Sequence, residues 1–127
     1  MFNSIRTSLE NKERVTELTN KLALGTENVI ARIALGYSLS KDTKLSLIEV
    51  QDSKGKEYSR RVLFGEYDSI YIGMVCQKYE LQHLNKEIPR YLKMHIDDGL
   101  EGLYDEFSAN SNIIGTDFLL SKIENYY

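Results

Sequence analysis

The chain has 127 residues, 16 Lys/Arg against 19 Asp/Glu, a formal net charge of −3 and 42% hydrophobic content. That predicts one domain spanning 1–127 with ordinary globular composition, and no apolar run reaches the roughly 18 residues of a membrane span. The single cysteine, Cys76, excludes an internal disulfide, and Met1-Phe2-Asn3-Ser4 lacks the basic and apolar regions of a signal peptide, so the expected location is cytoplasmic.

Charge is unevenly spread. Residues 1–66 hold 11 Lys/Arg and 9 Asp/Glu, whereas residues 67–127 hold 5 and 10. The basic side chains therefore gather in the first half, where a phosphate-binding function would need them.

Ser4 to Leu9 alternates, with Ile5, Thr7 and Leu9 on one side and Ser4, Arg6 and Ser8 on the other, the period of a short strand. Thr7 with Glu10 fits a capping box, and Ser8 is an equally good cap one residue later. Val15, Leu18 and Leu22 then mark the buried stripe of a first helix. Gly25 is the expected left-handed stop, and Thr26 can cap a second helix running to about Leu39. Val29, Ile30, Ile33, Ala34 and Tyr37 make that helix apolar enough for the core or a subunit interface. Its N-terminus is a natural phosphate site, although Glu27 beside it disfavours tight phosphate binding, and an ordinary unliganded cap explains it as well. Strand, helix, glycine turn and helix over residues 4–40 is the order of a ribbon-helix-helix unit, which pairs strands across a dimer and can read DNA.

Leu45–Val50 and Tyr58–Phe64 are β-prone and flank Gly55, which predicts a β-hairpin over 44–64 with Lys54, Lys56, Arg60 and Arg61 near its tip and second strand. A third helix is expected from Tyr67 or Asp68 to Glu80, with Ile70, Met74, Cys76 and Tyr79 inward and Cys76 as a small buried hydrophobe. A fourth begins near Asn85, tolerates Pro89 in its first turn, and carries the stripe Ile88, Leu92, Ile96, Leu100 and Leu103. His95 and Asp98 on it read as a surface pair, and Gly99 and Gly102 as a place for close approach in an oligomer. A polar loop over 108–115 and a last helix over 117–126, capped by Thr116, complete a mainly α fold with further helices over 67–126.

No glycine-rich phosphate loop, Cys-x-x-Cys, H-E-x-x-H or G-x-S-x-G occurs. Asp97 and Asp98 are adjacent, so they do not face one another on a helix. The expectation is a binding or assembly protein with no catalytic residue, no metal site and no cofactor.

Four stretches in order resemble one family, the DNA sulfur modification protein DndE: Ser4–Ser8, Asn28–Leu39, Phe64-Gly65-Glu66-Tyr67 with Tyr71, and Met94–Leu103. The resemblance covers roughly residues 4 to 104. It implies a small, non-catalytic, mostly helical oligomer, a tetramer, that binds DNA and is linked to nicked duplexes. It also implies partners that perform the sulfur chemistry, a cysteine desulfurase and a sulfurtransferase. The candidate DNA contacts are Arg6, Lys12, Arg14, Lys21, Lys54, Lys56, Arg60 and Arg61. Two rival readings are a ribbon-helix-helix transcription regulator, with Ser4, Arg6 and Ser8 on base edges, and a structural adaptor that touches no DNA.

Overall fold

The computed structural model describes residues 2–109. The expected helix over 117–126 lies outside them, as does most of the expected polar loop, whose first residues, Ser108 and Ala109, instead finish a helix.

The described residues are mainly α. Strand β1 (Ser4–Arg6) leads into α1 (Leu9–Leu22) and α2 (Glu27–Leu39). A 3-10 turn (Leu47–Glu49) and strand β2 (Glu57–Ser59) precede α3 (Arg60–Phe64), α4 (Asp68–Tyr79) and the long α5 (Ile88–Ala109).

The strand–helix–helix order of residues 4–40 stands, and β1 finds its partner inside the chain. It runs antiparallel to β2, with Ser4 opposite Ser59, Ile5 opposite Tyr58 and Arg6 opposite Glu57. The expected hairpin of 44–64 does not form. Leu47–Glu49 is a 3-10 turn started by Ser46, whose Oγ accepts from the Ile48 N–H, and Arg60–Phe64 is helical because Ser59 caps it through the Val62 N–H. Of the expected second strand only Tyr58 and Ser59 are extended, as part of β2, which pairs with residues some fifty positions away.

Ser8, rather than Thr7, caps α1 by accepting from the Asn11 N–H at 3.2 Å. The helix ends at Ala23, φ +53°, two residues before the expected glycine stop. Gly25 takes φ +132°, which also favours glycine. Val15, Leu18 and Leu22 are buried as the stripe predicts.

The core forms where α2 crosses α5. Ile30, Ala34 and Leu35 pack against Leu92, Ile96, Leu100 and Leu103, all essentially without solvent exposure. A Cβ at Gly99 would lie 1.9 Å from the Ala34 carbonyl oxygen. The close approach expected of this glycine is therefore to α2 of the same chain rather than to another copy. On α4 the buried residues are Ile72, Val75 and Cys76, while Ile70, expected to face inward, is 56% exposed.

Candidate nucleic-acid interface

The segment joining the 3-10 turn to β2 acts as a strap across the start of α1. The Asp52 carboxylate accepts from the Leu9 and Lys54 N–H groups, both at 3.0 Å, and these hydrogen bonds hold its pKa below the usual carboxylate range. The Gly55 N–H donates to Thr7 O, and the Thr7 N–H donates to Lys56 O. A side chain at Gly55 would strike the Ser8 carbonyl, so only glycine lets the strap lie this close.

Beneath the strap is a buried polar cluster. Lys93 Nζ donates to the Asp97 carboxylate at 2.5 Å and to Asp52 O at 2.7 Å. The other Asp97 oxygen accepts from the Ser8 N–H and from Asn11 Nδ2. Every charge in the cluster meets an opposite charge or a dipole, which is the condition for burying it at tolerable cost. Asn11 occupies the same stripe as Val15, Leu18 and Leu22, and Lys93 precedes Asp97 by four residues. Those two spacings were the sequence signals for the cluster.

The strap itself carries Lys54 and Lys56. Lys56 Nζ pairs with Glu27 at 2.8 Å, at the N-terminus of α2. Arg6, on the facing strand, pairs with Glu57 at 2.6 Å, and Ser4 Oγ donates to the other oxygen of the same carboxylate at 2.7 Å. Lys12 is exposed on α1 one turn before Thr16, and its charge also acts on Glu27. Arg60 donates twice to Asp68 Oδ2, at 2.9 and 2.6 Å, and its guanidinium lies 5.0 Å from the centre of the Phe2 ring. Lys54 and Arg61 are exposed, and among the described residues neither they nor Lys12 form an ion pair.

Arg14 and Lys21 stand apart. At 100° per residue they fall on the flank of α1 that carries Glu10 and Glu17, away from Lys12 and Thr16. Arg14 pairs with Glu10 at 3.5 Å and lies 5.9 Å from the Tyr104 ring centre. Arg14 and Lys21 therefore lie on a different face of α1 from Lys12. Ser8, which a ribbon reader would place on base edges, is fully buried as the cap of α1, and Ser4 and Arg6 are both engaged by Glu57.

Between α1, the start of α2 and β2 lies an open hollow of about 630 Å³. Thr16, Asn20, Thr26, Asn28, Lys56 and Ser59 are among its lining residues.

A second polar network joins α2, α4 and α5. His95, read from the sequence as a surface residue, has no solvent exposure. Its Nδ1 is 2.8 Å from Ser38 Oγ and its Nε2 is 2.7 Å from Tyr79 Oη. Asp98 accepts from Ser38 and does not touch the imidazole. No group of three or more His, Cys, Asp or Glu placed to hold a metal ion occurs among the described residues, and none of their helices is long and apolar enough to cross a membrane.

The family described as DNA sulphur modification protein DndE matches residues 4–111. The chain belongs to the DndE family. Its fold is similar to that of the crystal structure of DndE from Escherichia coli B7A, described as involved in DNA phosphorothioation modification, with a TM-score of 0.67 and 19% identity. That likeness covers 81% of this chain and 97% of the other. A DndE G21/24K mutant, described as involved in DNA phosphorothioation, is similar at a TM-score of 0.66 and 19% identity, over 80% of this chain and 97% of that one. No curated protein matches the sequence. At this identity the structural likeness establishes the DndE fold, and family membership rests on the sequence match.

Proposed function

We propose that this DndE-family chain is a non-catalytic DNA-binding subunit of the DNA phosphorothioate modification system, working in the cytoplasm beside a cysteine desulfurase and a sulfurtransferase. The observation that carries this reading is the placement of Arg6 on β1, of Lys54 and Lys56 on the strap and of Lys12 on α1 within electrostatic reach of Glu27, with Arg60 and Arg61 following β2 directly in α3. These six side chains form the primary contact to the phosphodiester backbone, and Arg14 and Lys21 a secondary one on the opposite flank of α1. Nicked duplex is the preferred ligand, and the working unit is a homo-oligomer, assigned here as a tetramer. Mobility shifts with intact and nicked duplex at two salt concentrations test the binding, and light scattering tests the assembly. Affinity is expected to fall steeply with salt, because each neutralised phosphate releases counterions. Absence of any shift at low salt overturns the reading.

A second reading, a structural adaptor that holds the modification complex together without touching DNA, draws support from one observation. Arg6, Arg14, Lys56 and Arg60 already have acidic partners within the chain. It predicts undiminished co-purification with the other components after Lys/Arg→Glu changes in the N-terminal half.

A further inference from the structure

The N-terminus of α2 is built unlike that of α1. Thr26 supplies no side-chain cap, and its hydroxyl turns to the Asn28 side chain instead. Val29 and Ile30 direct their N–H groups to the Thr26 carbonyl, and among the described residues the N–H groups of Glu27 and Asn28 have no acceptor. Free N–H groups at a helix start attract anions. The adjoining hollow already contains one, the Glu27 carboxylate, held by Lys56 Nζ at 2.8 Å and by Thr16 Oγ1 at 2.7 Å. Burial pushes the Glu27 pKa up, but the hydrogen bonds from Lys56 and Thr16 and the charges of Lys56 and Lys12 outweigh it, leaving the carboxylate below its usual range and charged.

A second observation is independent of the helix. Tyr58 lines the same hollow and is only 2% exposed, yet its hydroxyl has no hydrogen-bond partner. A buried hydroxyl left unpaired is costly. The wall of the hollow therefore contains an unpaired buried hydroxyl, and its rim unused backbone N–H groups.

We propose that Glu27 is a built-in occupant of an anion seat, and that a DNA phosphodiester displaces it from Lys56 and Thr16 when duplex binds. The inference rests on the DNA-binding reading above. The exchange replaces one negative charge on Lys56 by another, so Lys56 stays paired while Glu27 gives up its counter-charge. Glu57, the other acid on the rim, stays on Arg6 and Ser4. The displaced Glu27 side chain, already 23% exposed, turns to water. Glu27 thus competes with every incoming phosphate and holds Lys56 in reserve.

Glu27→Gln keeps the shape and a hydrogen-bond acceptor for Thr16 while removing the charge. Expected results are duplex binding tighter by roughly five- to ten-fold at low salt, and a salt dependence steeper by about one counterion, since one more phosphate contact contributes about 0.9 to the slope. Adding Lys56→Met to Glu27→Gln cancels both gains. Thr16→Val, which only loosens the grip on Glu27, gives a smaller gain in the same direction and serves if Glu27→Gln fails to fold. A titration with inorganic phosphate, read from the amide NMR signals of positions 27 and 28, is expected to move them further in Glu27→Gln than in the unaltered chain. Unchanged affinity and slope in folded Glu27→Gln, with unmoved amide signals, overturn the inference while leaving DNA binding intact. Phosphate shifts with no duplex binding by any variant sink the DNA-binding reading instead, and reassign the seat to free phosphate.

Discussion

Ser38 Oγ lies 2.8 Å from His95 Nδ1, tying α2 to α5 through two side chains without meaningful solvent exposure. The protons of this network have one consistent arrangement. Ser38 donates to Asp98 at 2.7 Å, so His95 Nδ1–H must donate to Ser38. In the neutral ring with its proton on Nδ1, Nε2 accepts from Tyr79, whose oxygen in turn accepts from the Leu45 N–H. Burial, then the nearby Lys78, push the His95 pKa down to about 4, Asp98 opposing and Lys41 assisting.

This sets a pH dependence. The folded-state pKa lies below the usual value of 6.5, so the unfolded chain binds the proton more readily. The neutral-histidine contribution is full above pH 6.5 and is lost as pH falls from 6.5 towards 4, at up to about 1.4 kcal/mol per pH unit. Urea unfolding at pH 7, 6 and 5 is expected to show the midpoint falling, and a His95→Gln variant is expected to be less stable at pH 7 with most of that fall abolished. Glu27, Asp52 and Glu57, all with lowered pKa values, add their own losses only at more acidic pH, so the window above pH 5 isolates the histidine.

The α2–α5 crossing makes a sharp contrast between glycines. Gly99→Ala places a Cβ 1.9 Å from the Ala34 carbonyl oxygen, a backbone atom that moves only if the helices separate. A loss of roughly 3 kcal/mol or more is expected, at the upper end of overpacking costs. Gly73, on α4, has nothing within 4 Å of the same position. Gly73→Ala is expected to stabilise by about 0.5–1 kcal/mol, the helix-propensity difference. Thermal melts of the two variants, moving in opposite directions, check both.

Periodicity carried the helices well because α1, α2 and α5 each turn one apolar stripe to a shared core. The hairpin failed because β-propensity in Leu45–Val50 and Tyr58–Phe64 says nothing of partners. The true partner of Glu57–Ser59 is Ser4–Arg6, and Ser46 and Ser59 act locally as caps that start helical turns. His95 misled for a related reason: its partners, buried Ser38 and half-buried Tyr79, lie on other helices. For the candidate interface, the cations were readable one by one from composition. Their pairing with Glu27, Glu57 and Asp68 was not, since two of these three contacts span 29 and 51 residues.

The Lys93–Asp97 pair is nearly inaccessible, with side-chain exposures of 8% and 1%. Lys93→Met leaves the Asp97 carboxylate buried beside Ser8 and Asn11 without its counter-charge. A cost of roughly 3–5 kcal/mol is expected, as for breaking any buried ion pair from one side. Adding Asp97→Asn removes the stranded charge and retains an acceptor for the Ser8 N–H. The double variant is therefore expected to be more stable than Lys93→Met alone, and chemical denaturation of the full cycle measures the coupling.

The cations proposed to bind phosphate can be tested apart from those that hold the fold. Lys12, Lys54 and Arg61 are exposed and unpaired among the described residues, whereas Arg60 is clamped by Asp68 and covers Phe2. Changing Lys12, Lys54 and Arg61 together to Ala is expected to leave the melting temperature nearly unchanged while lowering the salt slope of duplex binding by about 2.7, at roughly 0.9 per lost contact. Arg60→Ala should do the reverse in stability, lowering the melting temperature because both its packing and its two hydrogen bonds go. Its effect on the slope is limited to about one contact, since one charge is removed. Equal slopes for the triple variant and the unaltered chain would place the DNA-binding surface elsewhere, with Arg14 and Lys21 on the far flank of α1 next to be tested.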